Sequence, residues 1–184
     1  NTMKKVIAIA ALSIVGFASK AQNASSTATQ TVNLNLSNAI ELTFTGNSSA
    51  TGATVNLAFN TVNDYANGVE SAAQELKVRS NKKFGVTVKT SGASFTYTGS
   101  TTPAPVMPVS VLGLKVMANG TGGTIATPFS TTAYTPMSNT AANLISNGLN
   151  GGNQTFSVKY EAEPGFAYPA GTYTTDVVYT ATQL

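Results

Sequence analysis

Gln74-Glu75-Leu76-Lys77-Val78-Arg79-Ser80-Asn81-Lys82-Lys83-Phe84-Gly85-Val86-Thr87-Val88-Lys89-Thr90 decides how this chain folds. Leu76 and Val78 alternate with Lys77 and Arg79. After a polar turn at Asn81, Phe84, Val86 and Val88 alternate with Gly85, Thr87 and Lys89. Successive side chains of a strand point to opposite faces, so this pattern buries one face and wets the other.

The same period of two recurs on both sides. Val32, Leu34 and Leu36 share a face, as do Ile40, Leu42 and Phe44, and then Val55, Leu57 and Phe59. Phe95 with Tyr97, then Leu112, Leu114 and Val116, then Phe156, Val158 and Tyr160, continue it; Tyr173, Val177 and Tyr179 close the chain. Gly, Pro, Asn and Ser clusters separate these runs, predicting about eight or nine short strands. Many short strands with one polar face each predict an all-β, antiparallel β-sandwich. Two stretches resist a strand reading. Residues 63–73 suit a loop or one helical turn. The Gly- and Pro-rich stretch 118–152 is too long for a structureless loop, so edge strands are expected near Thr124–Phe129 and Leu144–Ile145. Thr-Val-Asn-Leu occurs at Thr31–Leu34 and again at Thr54–Leu57, which alternation alone explains.

The start reads differently. Met3-Lys4-Lys5, an apolar run from Val6 to Ala18, and Ser19-Lys20-Ala21 predict a secretory signal peptide over residues 1–21, cleaved before Gln22. The run is short for a membrane span, and no second one follows, so no stable transmembrane segment is expected in the mature chain. Asn1 and Thr2 then lie upstream of the true start. The mature chain, residues 22–184, has the length of a single domain. Lys4, Lys5 and Lys20 leave with the leader, which takes the net charge of +3 to zero. Nothing in that balance attracts nucleic acid, and near-neutrality favours association between molecules. The expected place of work is secreted, on the cell surface or in the periplasm of a bacterium.

The chemistry available is narrow. There is no Cys, His or Trp. The absence of His removes the commonest general base and metal ligand, and that of Cys removes thiol chemistry and disulfides. Glu161 and Glu163 form the nearest carboxylate pair, but a strand edge before Pro164-Gly165 is the simpler reading. Asn63, Asp64, Asn67 and Glu70 offer oxygen ligands without calcium-loop spacing, and such residues make turns unaided. Lys77, Arg79, Lys82 and Lys83 read as outward strand charges that discourage edge pairing. Gly120, Gly122 and Gly123 lack the Gly-Lys-Ser/Thr of a phosphate loop. No catalytic, metal or cofactor residue is assigned. Phe166 and Tyr168, beside Pro164-Gly165 and Pro169-Ala170-Gly171, either cap an open end of the sandwich or stack on a glycan.

Gln74 to Asn81 followed by Phe84-Gly85-Val86-Thr87-Val88, the leading Val-x-Leu-x-Leu strand, and Tyr168-Pro169-Ala170-Gly171-Thr172-Tyr173 before a Thr- and Val-rich last strand resemble one known group. These are the secreted bacterial sandwich domains of the spore coat protein U and pilin-like type, with a related group common in Bacteroidetes. The chain departs from them in lacking paired cysteines and the pilins' penultimate Tyr, and having no Trp it carries no WxL wall-binding motif. The resemblance implies an immunoglobulin-like sandwich in a non-enzymatic surface, coat or fimbrial subunit. It also implies an N-terminal strand within 23–36, with Val32, Leu34 and Leu36 as knobs, that adds to a neighbour's sheet or folds back in cis. Partners would be further copies or other surface proteins. The alternative is a carbohydrate-binding or adhesive module using Phe166 and Tyr168.

Overall fold

The computed structural model describes residues 24–184, so the leader expected over 1–21 lies outside the described residues. The chain divides into two units, one ending at Asn35 and one running Leu36–Leu184. The second is built of antiparallel sheets. In chain order its elements are β1 (Ile40–Phe44), α1 (Val62–Asn67), β2 (Val69–Glu70), β3 (Gln74–Ser80), β4 (Phe84–Thr90) and β5 (Thr96–Thr98). A 3-10 turn (Val109–Val111) leads into β6 (Leu112–Asn119), β7 (Thr124–Ile125), β8 (Thr135–Pro136) and β9 (Ala142–Gly148). β10 (Gly151–Ala162), β11 (Thr172–Thr174) and β12 (Val177–Gln183) complete it.

One sheet has the order β1-β3-β10-β6-β8, with β2 paired to the end of β10. The other has the order β12-β4-β9-β7, and β5 with β11 makes a separate ribbon. The apolar faces of the two larger sheets meet. Leu76, Val78, Leu114, Val116, Phe156 and Val158 from the first pack with Phe84, Val86, Val88, Leu144 and Ile145 from the second, all essentially buried. The inward residues are the apolar positions of the quoted stretch, so alternation assigned faces correctly. The Asn81 turn does not make a hairpin, however. β3 and β4 lie in different sheets, and the turn carries the chain across the core.

Residues 24–39 belong to no strand of this single chain. Three expectations need correction. Residues 53–60 keep the alternation, with Val55 and Leu57 packed on the core, yet they join no sheet among the described residues. The last apolar run is two strands: β11 pairs with β5 and β12 with β4, the switch falling at Thr175-Asp176, where Ser91 N–H donates to the Asp176 carbonyl at 2.9 Å. Finally, β9 is interior and β7 is the edge. Leu144 and Ile145 are consecutive and both buried because the β4–β9 register shifts around Val86. Residues 63–73 contribute the single-turn helix α1 and β2.

The two sheets are also joined by a polar contact. The hydroxyls of Tyr160 on β10 and Tyr179 on β12 lie 2.6 Å apart. Burial pushes Tyr160 up to about 12, and Tyr179 is raised likewise by burial and its neighbour, so both stay protonated. Tyr160→Phe leaves Tyr179 without this partner. It should cost about 1–3 kcal/mol, while the double Phe variant recovers most of the loss. Chemical denaturation of the three proteins checks this; equal loss in single and double variants would contradict it.

Candidate functional site

The described residues contain three places where functional side chains gather. The first is the approach to β1. Val32, Leu34 and Leu36 are 74%, 82% and 88% exposed. The chain is then gripped at Ser37–Ala39. Ala39 N–H donates to Asn81 Oδ1 at 3.0 Å, Asn81 Nδ2 donates to the Ser37 carbonyl at 2.8 Å, and Asn81 N–H donates to the Ala39 carbonyl at 3.2 Å. Gln183 Nε2 at the end of β12 donates to the same Ala39 carbonyl at 2.8 Å and to Asn81 Oδ1 at 2.9 Å. A shallow recess of about 470 Å³ adjoins this grip, lined by Ala39, Ile40, Asn81, Gly151 and Gly152 among others. The sequence reading saw Asn81 as a turn residue and missed its clamp, because its partners come from the two ends of the chain.

The second is a charged network on the outer face of the β1-β3-β10-β6-β8 sheet. Glu70 on β2 accepts from Tyr134 Oη at 2.7 Å and from Lys159 Nζ at 3.3 Å, with Lys115 Nζ at 3.5 Å. Lys115 also lies 4.2 Å over the Tyr134 ring. The Tyr134 hydrogen bond, then the Lys159 bond, holds the Glu70 carboxyl below its usual range. Glu161 is pushed up by burial, then by the Glu163 and Glu70 charges. Glu70 thus pairs with two lysines on an open sheet face, with Glu161 beside them. Glu70, Tyr134, Lys115 and Lys159 come from three different strands and a loop, so no local spacing announced their meeting.

The third is a set of rings. Phe166 is 68% exposed and stacks on Tyr65 of α1, centroids 5.7 Å apart and planes 21° apart; Phe59 lies 5.4 Å behind Tyr65. Tyr168 packs edge-on to Tyr173, which packs on Tyr97 at 5.0 Å. Tyr173 and Tyr97 hydroxyls donate to the Pro169 and Ala170 carbonyls, pinning the loop that carries Phe166 and Tyr168. Phe166 therefore points to solvent, while Tyr168 is half-buried against its neighbours. Gly171 adjoins the Tyr97 ring, into which a Cβ would run. Gly171→Val should destabilise by about 1–3 kcal/mol through overpacking; a neutral result in thermal melting would contradict this packing.

The remaining sequence candidates do not converge. Asp64 is engaged in the capping box of α1, accepting from the Asn60 and Thr61 amides, and these bonds hold its carboxyl low. Glu70 belongs to the lysine network, and no metal-holding group of three or more His, Cys, Asp or Glu occurs among the described residues. Arg79 pairs across β1–β3 with Glu41 on the exposed surface, a contact worth little to stability. No helix among the described residues is long and apolar enough to cross a membrane.

The fold and these sites define an antiparallel β-sandwich with one polar clamp and one aromatic end. No family model matches the chain, and no curated protein matches it. Among solved structures it is similar to a family 123 glycoside hydrolase from Clostridium perfringens, with 11% identity and a TM-score of 0.35 over 79% of this chain. The chain spans 25% of that enzyme's chain.

Proposed function

We propose that this protein is a non-enzymatic structural subunit of a bacterial cell surface, with an immunoglobulin-like sandwich body that assembles by β-strand addition. The observation that carries the reading is the exposure of Val32, Leu34 and Leu36 on a stretch that belongs to no strand. An alternating apolar segment left in water forgoes about 1.5–3 kcal/mol of burial for each such side chain. Pairing with a sheet edge recovers that burial and satisfies the main chain at once.

A receptive edge is at hand. Among the described residues β12 pairs with β4 alone, and Val177–Gln183 contains no charge and no Pro, the devices that usually blunt an edge. Residues 21–40 are likewise uncharged, so joining the two would desolvate no ion. The basic, apolar and small-residue pattern at the start supports export as the route to the surface. Light scattering and electron microscopy of the concentrated protein test the reading. Multimers or filaments are expected, and a strict monomer at every concentration would overturn it.

A further inference from the structure

We propose that the Tyr65–Phe166 stack, backed by Phe59, is a binding platform for the apolar face of an uncharged pyranose sugar in a polysaccharide. The stack is preorganised. Tyr65 is fixed on α1, whose first turn is locked by the Thr61–Asp64 capping box. Phe166 follows Gly165, which sits at φ +59°, a left-handed conformation suited to glycine. The loop beyond it is held by the Tyr97 and Tyr173 hydroxyls. A ring already held in place loses little freedom when a ligand settles on it.

One face of Phe166 is covered by Tyr65 and the ring remains 68% exposed, so a single aromatic surface is presented to solvent. The axial C–H groups of a pyranose form an apolar, weakly positive face that matches the negative face of a π-system. The charges on the segments bearing the platform, residues 59–68 and 163–173, are Asp64 and Glu163, both acidic. Nucleic-acid bases also stack, but a strand brings phosphates that need lysine or arginine, and these segments carry neither. A stable protein partner needs about 800 Å² on each side, far more than one projecting ring supplies.

The site does not depend on assembly, and one set of titrations separates the two. Calorimetry of the intact protein with cellohexaose, xylohexaose, maltohexaose and chitohexaose should give saturable binding to at least one, unchanged between 0.1 and 0.5 M salt (about a fivefold range, ample to expose ionic contacts). Phe166→Ala should weaken it about tenfold or more, and Phe166→Trp should retain it. A Leu34→Asp variant should bind as well as the wild type. No heat with any of the four, or equal affinity in Phe166→Ala, would overturn the proposal. Binding only to polygalacturonate or a heparin fragment, or a Phe166→Ala effect on self-association alone, would overturn it too.

Discussion

Val86→Asp is expected to lower folding stability by about 3–5 kcal/mol, the largest single-residue effect anticipated in the sandwich. Val86 is fully buried on β4, between Ala181 of β12 and Ile145 of β9, and faces the opposite sheet's apolar side chains. A carboxylate there has no cationic partner in the buried core and must either stay charged without solvent or take up a proton. Against a total stability of about 5–15 kcal/mol, that loss shifts the melting temperature by roughly 10–15 °C or prevents folding. Lys89→Asp, on the exposed face of the same strand, should change stability by about 0.5 kcal/mol or less. Thermal melts of the two variants decide the matter. Equal shifts would mean that β4 presents the other face to the core.

The second large effect falls on assembly and spares the fold. Leu34→Asp with Leu36→Asp replaces two side chains that are 82% and 88% exposed, so the melting transition should move little. In a complex built by strand addition both positions become buried. Losing about 1.5–3 kcal/mol at each, with charges to desolvate besides, should weaken association at least ~100-fold. Sedimentation of the wild type and the double variant over a concentration series reads this directly. Unchanged association would remove the N-terminal segment from the contact.

Period two made the faces legible because side-chain direction is a local property of each strand. It left the neighbours open, since pairing depends on residues far apart in sequence. The turn at Asn81 shows the difference: both flanking strands were evident, while their placement in separate sheets was not. The repeated Thr-Val-Asn-Leu shows it again. At Thr54–Leu57 the apolar residues pack on the core, and at Thr31–Leu34 the same four residues are exposed. Identical local pattern thus meets two tertiary contexts. The single strand expected from Tyr173 to Tyr179 broke because its halves bond to different partners, β5 and β4.

Candidate sites followed the same rule. Phe166 and Tyr168 stood out because Pro and Gly surround them, but their support from Tyr65, Phe59 and Tyr97 required the folded chain. The Glu70–Tyr134–Lys115–Lys159 network had no sequence signal, as its members alternate outward on separate strands and a loop. Within it Glu70 is satisfied by Tyr134 and the two lysines.

Amide hydrogen exchange across a concentration series tests the central claim most directly. In dilute protein, residues 31–36 should exchange as fast as an unstructured peptide while β3, β4 and β10 stay protected; in concentrated protein, residues 31–36 should become protected together with β12. Strong protection of residues 31–36 in dilute monomer, or none at any concentration, would contradict assembly by strand addition.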